Sequence, residues 1–119
     1  MNKQELSIRI KTRELARIAP SLTALSQLEG RVYVHLETPK QAAHFLRLAE
    51  QEGFRFNDGE KPTARDAATV IALNPDHTIN YVDTVGRIAY GSDVKTVGDK
   101  LIIRIAYSVW FDEIYSVTV

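Results

Sequence analysis

Between Gly30 and Gly53 the hydrophobic period of the sequence changes once, from two to 3.6, and the change is marked by residues that leave little choice of structure. Arg31-Val-Tyr-Val-His-Leu36 is a β-branched and aromatic run that suits a strand. Thr38 then offers a hydroxyl to a first-turn amide, Pro39 fits the first helical position, and Gln41 completes a capping-box pattern. Ala42, Phe45, Leu46 and Ala49 follow on one helical face with Leu48 beside it, and Gly53 is the residue expected just past the end. A strand joined directly to a capped helix is therefore the unit around which the rest must be arranged.

On the N-terminal side, Leu6, Ile8 and Ile10 alternate with Ser7, Arg9 and Lys11, which predicts a half-buried strand over residues 5–11. A helix is the rival reading, because it would place Arg9, Arg13 and Arg17 on one face. Leu15, Ile18, Leu22 and Leu25 then recur at helical spacing, with a break expected at Pro20. On the C-terminal side most of the chain reads as β. Phe54-Arg55-Phe56 is a short extended piece, and Asn57-Asp58-Gly59 is a turn. Thr69–Leu73 and Thr78–Val82 flank Asn74-Pro75-Asp76-His77, which suits a type I turn. Arg87–Tyr90, Leu101–Trp110 and Ile114–Val119 are the remaining candidate strands. The expected fold is α+β: one domain over 1–119, with a mainly antiparallel sheet of about five strands and one or two helices on one face. Its core is predicted to hold Val32, Val34, Phe45, Leu46, Ala49, Ile71, Leu73, Ile103, Ile105 and Tyr107.

Composition narrows the chemistry. The chain has no cysteine, which removes disulfides, thiolate zinc sites and cysteine nucleophiles. Its 15 basic and 15 acidic residues cancel, which argues against a nucleic-acid binder, although residues 1–17 carry a local basic excess. That excess reads first as a solvated face. No apolar run approaches the length of a membrane span and no signal-peptide core precedes the charges, so a cytoplasmic location and no membrane partner are expected.

No catalytic or metal constellation emerges from spacing. His35, His44 and His77 fall in a strand, a helix and a turn, without the close pairing that zinc sites use. Gly59-Glu-Lys-Pro-Thr63 lacks the first glycine and the Gly-Lys-Ser/Thr adjacency of a phosphate loop. Val32–Leu36 is similar to one RNA-contacting strand of an RNA-recognition motif, but Gly53-Phe-Arg-Phe56 stands in the wrong order to supply the other. Two of Asp58, Glu60, Asp66, Asp76, Asp83, Asp93 and Asp99 could form a carboxylate pair, but sequence gives no separation between them, and turns explain most of these positions. A non-enzymatic protein without cofactor or metal is expected.

Residues 34–63, VHLETPKQAAHFLRLAEQEGFRFNDGEKPT, resemble a recurrent block in small proteins of bacterial phages and mobile elements: strand, Thr-capped helix, Gly-Phe, an aromatic, then a glycine turn. The resemblance implies a binding or accessory protein that acts on a macromolecular partner, and it carries no site residue with it. The residues themselves point to the loop 54–66 as the contact surface, through Phe54, Arg55, Phe56, Asp58, Lys61 and Arg65, with Glu60 among them. The competing structural reading is that Phe54 packs back on the helix it follows while the charges are solvated. A second functional reading is a small-ligand pocket, a nucleotide being one such ligand, furnished by Tyr81, Arg87, Tyr90 and Tyr107. The unprotected apolar tail suggests a homodimer through Trp110, Phe111 and the C-terminal strand.

Overall fold

The computed structural model of the chain describes residues 3–66, 68–82, 95–97 and 99–115. Along the sequence run α1 (Lys3–Ile18), α2 (Leu22–Ser26), β1 (Arg31–His35), α3 (Pro39–Gln51), β2 (Arg55–Phe56), a 3-10 turn (Pro62–Ala64), β3 (Val70–Leu73), β4 (Thr78–Tyr81), β5 (Thr96–Val97), β6 (Lys100–Ala106) and α4 (Tyr107–Tyr115). The fold is α+β, but with four helices among the described residues rather than one or two. The expected strand 87–90 and residues 116–119 lie outside the described residues.

The strands form one mixed sheet in the order β2-β4-β3-β1-β6, with the two-residue β5 added at the outer side of β6. β3 lies antiparallel to both β1 and β4, as the Asn74–His77 turn requires; His77 donates its amide to Asn74 O at 3.2 Å to close that turn. β1 pairs in parallel with β6, and β2 in parallel with β4, which corrects the expectation of a mainly antiparallel sheet. The last strand is inserted beside the first at the centre of the sheet. No local signal marks a pairing between segments so far apart in sequence.

Register carries one hydrophobic set to the helical side. Val32 aligns with Leu73 and Ile103, and Val34 with Ile71 and Ile105. These side chains meet Phe45, Leu46 and Ala49 from α3, Leu22 and Leu25 from α2, Ala16 from α1, and Tyr107 and Trp110 from α4 in one cluster. Of the ten predicted core residues, nine are buried and Ile103 is partly so. A smaller cluster of Tyr33, Val70, Ala72, Val82 and Ile102 lies apart from it.

Residues 5–11 are helical, so the strand reading is overturned there. In α1, Thr12 and Ala16 are buried and Leu15 packs on the core, whereas Leu6 and Ile10, two of the three residues that gave the alternation, are about half exposed. The inward face of this helix is carried by Thr12 and Ala16 beside Leu15, and a count of large apolar side chains overlooks the first two. Thr12 Oγ1 donates to Ile8 O at 2.7 Å and accepts the amide of Ala106 at 3.1 Å, tying α1 to the end of β6. α1 stops at Ile18, and Pro20 stands between it and α2, where the break was expected.

A second correction falls at the C-terminal end. The β6 strand stops at Ala106, opposite His35, where β1 also ends and no ladder remains to pair with. From Tyr107 the chain is helical, and Tyr107, Trp110, Phe111 and Ile114 sit at helical spacing against the core. The predicted strands over 107–110 and at 114–115 are therefore absent. Trp110 is fully buried, and its indole N–H donates to Ala19 O at 2.9 Å. Trp110 is therefore not available to the expected dimer contact with Phe111, and of the expected C-terminal strand residues 114–115 are helical while 116–119 lie outside the described residues.

Candidate functional site

The loop 54–66 is built outward from the end of α3. Gly53 donates its amide to Glu50 O and Phe54 to Ala49 O, the pair of bonds that closes a helix in a Schellman motif. Phe54 is thereby turned inward, where its ring stacks on His77 at 4.1 Å. His77 in turn donates from Nε2 to Glu52 O at 2.6 Å. The structural reading thus holds for Phe54. Two residues on, Phe56 is also buried, while Arg55 between them is exposed, as strand alternation demands.

The charges of the loop are mostly matched to one another. Arg65 lies 4.5 Å above the Phe56 ring and donates to both Asp58 and Glu60. The Glu60 amide donates to Asp58 Oδ1 at 3.1 Å, an Asx turn. Thr63 donates its amide and its hydroxyl to Glu50 of α3 at 3.2 and 2.7 Å, and Tyr81 Oη donates to Asp66 O. Of the six residues singled out from sequence, then, Phe54 and Phe56 are core, Asp58 and Arg65 are paired, and Arg55 and Lys61 remain exposed.

These contacts set the protonation states. The two bonds from Thr63 hold the Glu50 carboxyl below its ordinary range, and the Glu60 amide, followed by Arg65, does the same for Asp58. Both groups bind their last proton less readily folded than unfolded. The stability they contribute is present above the unfolded carboxyl range, near pH ~4, and is lost as pH falls through the folded values. Lowering the pH from neutral should loosen the loop before the sheet. Amide hydrogen exchange at Phe56, Gly59 and Thr63 should accelerate first, and Glu50→Gln should remove part of that pH dependence. Equal acceleration at Val34 and Ile71 would show instead that the whole domain responds.

The fixed loop forms one wall of an open hollow of about 470 Å³. Ala42, Ala43 and Leu46 of α3 face Thr63, Arg65 and Asp66 across it, and Arg47 also lines it. Of the sequence candidates only Arg65 reaches this hollow. Ala42, Ala43 and Arg47 were missed, and the one signal for them was the small-residue pair within α3, which keeps that part of the helix surface shallow.

Elsewhere, His44 on α3 faces α4: its Nδ1 is 2.6 Å from Tyr107 Oη and its ring meets Phe111 edge-on at 4.5 Å. Burial, and then Arg47, lowers the His44 pKa, while burial raises that of Tyr107. Tyr81 and Tyr107, two of the four residues suggested for a ligand pocket, stand against different neighbours, Phe56 for the one and Phe45 and Trp110 for the other; Arg87 and Tyr90 lie outside the described residues. Among the described residues no three His, Asp or Glu side chains cluster as metal ligands, and no helix is long and apolar enough to cross a membrane. Comparison with protein-family models, curated proteins and solved structures finds no significant match to this chain.

Proposed function

We propose that the chain is a small non-enzymatic binding protein that takes a macromolecular partner at the hollow between α3 and the loop 54–66. One observation supports this reading above the others: a loop whose own aromatic and charged residues are used to hold it still forms a wall of an open hollow with apolar alanines opposite. A pre-organised surface of this kind loses little entropy when it is occupied. Arg55 and Lys61 do not line the hollow but are exposed on the same loop, within electrostatic reach of Glu50, which holds Thr63 in the hollow's wall. A role in a phage or mobile element rests on the resemblance of residues 34–63 and is tested by gene neighbourhood.

The site itself is tested by affinity capture followed by measured binding of the captured partner. Ala43→Glu places a carboxylate in the hollow, and Arg55→Ala with Lys61→Ala removes the exposed cations of the same loop, all at exposed positions. Unchanged melting with at least tenfold weaker binding is the expected outcome. Partner affinity that is indifferent to all three changes would remove the hollow from consideration.

A further inference from the structure

The exposed large apolar residues are not scattered evenly. Among the described residues they are Leu6, Ile10 and Ile18 on α1, Leu101 on β6, Tyr81 and Tyr115. At 100° per residue, Ile10 points almost directly away from the buried Thr12, so it is no fringe of the core. Lys3, Ser7, Ile10 and Glu14 follow one another at spacings of four, three and four, forming a single outward stripe with Leu6 and Lys11 on its flanks. That is the seam spacing of a two-helix coiled coil.

The order of residues in the stripe names its occupant. About a two-fold axis crossing the helix between Ile8 and Arg9, an antiparallel second copy sets Lys3 opposite Glu14 and Ser7 opposite Ile10. Each match occurs twice because the contact is isologous. The two ion pairs stand at the ends, the isoleucine of each copy meets the smallest residue of the other, and Leu6 lies within one residue's rise of the facing Ile10. The face is therefore complementary to itself in both charge and size. Glu14 at one end of the stripe opposes an anionic lipid surface, and the mixed signs oppose a polyanion. In the monomer Glu14 pairs with Lys11 at 3.9 Å between two largely exposed side chains, a contact weak enough to be shared.

We infer that α1 mediates antiparallel homodimerisation through the stripe Lys3, Ser7, Ile10 and Glu14 flanked by Leu6. This is independent of the hollow on α3. With two large apolar side chains from each copy the interface belongs to the small, transient class, and half-dimerisation is expected on the order of 0.1 mM. Sedimentation equilibrium of the full chain up to about 1 mM, well above that midpoint, tests it. Glu14→Lys and Lys3→Glu should each weaken dimerisation at least tenfold by facing like charges, and the combined variant should recover it because the pairs are restored in reverse. Melting of each variant, followed by the buried Trp110, should match the parent. A parent chain that stays monomeric, a dimer indifferent to Glu14→Lys, or a combined variant as monomeric as the single ones would each overturn the inference.

Discussion

Replacing Trp110 with alanine is expected to cost about 3–5 kcal/mol, a large share of the ~5–15 kcal/mol that holds a domain of this kind together. The side chain is fully buried at the point where α4 closes over the sheet, stacked on Tyr107 at 5.9 Å and bonded through its indole N–H to the carbonyl of Ala19. Alanine removes three things together: the largest side chain of the core, the aromatic contact and the donor. The last matters because Ala19 follows the end of α1, where its carbonyl has no next turn to bond. Trp110→Phe separates these contributions. It keeps most of the packing and leaves the carbonyl unsatisfied, so a loss of about 1–3 kcal/mol is expected. Urea unfolding followed by circular dichroism measures both, since the only tryptophan is removed in each variant. A loss under about 1 kcal/mol for the alanine variant, far below the range for emptying a core site, would show that α4 does not close the core.

That residue also marks where the sequence misleads. From Leu101 to Val109 the alternation of apolar residues continues without a break, so period alone extends the strand to the tryptophan. The ladder nevertheless ends at Ala106, because β1 supplies no partner beyond His35. Strand length is fixed by the neighbour, and the neighbour is tertiary information. The same holds for α1, whose apparent strand alternation arose from Leu6 and Ile10 on the outer surface, while its inward contacts are made by Thr12 and Ala16. By contrast α3 is readable in full: the Thr38 cap, Pro39 at the start and Gly53 past the end are local chemistry that no distant contact must complete. The loop 54–66 falls between these cases. Its turn and its aromatic alternation were legible, and its composition suggested a contact surface. Which of its residues are spent on holding it could not be read, because Phe54 depends on His77 and Thr63 on Glu50, each brought in from another element. The hollow beside it requires α3 and the loop together, so it had no signature of its own.

Gly30→Ala should be nearly as damaging as the loss of Trp110, for a reason that involves no lost contact. Gly30 has φ of +138°, and a Cβ built there would lie 2.6 Å from Leu101 O and 3.2 Å from Ile103 Cδ1. Backbone strain at a conformation that L side chains avoid costs about 1–3 kcal/mol, and forcing a methyl group into a filled space adds a similar amount. The obstruction cannot be relieved by turning a side chain, because the nearest atom is a backbone oxygen of β6. The strand would have to withdraw next to the first pair of its parallel ladder with β1, Arg31 with Ile102. A total of about 3–5 kcal/mol is therefore expected. Gly59→Ala supplies the control. Its φ is +91°, and nothing lies within 4 Å of the added atom, so it carries strain without collision and should cost about 1–3 kcal/mol. The difference between the two variants in chemical unfolding isolates the collision with β6, and hydrogen exchange at Val32 and Ile103 should rise in the first and stay unchanged in the second. Equal losses for both glycines would mean that β6 does not approach Gly30 closely, and the parallel pairing at the centre of the sheet would then have to be redrawn.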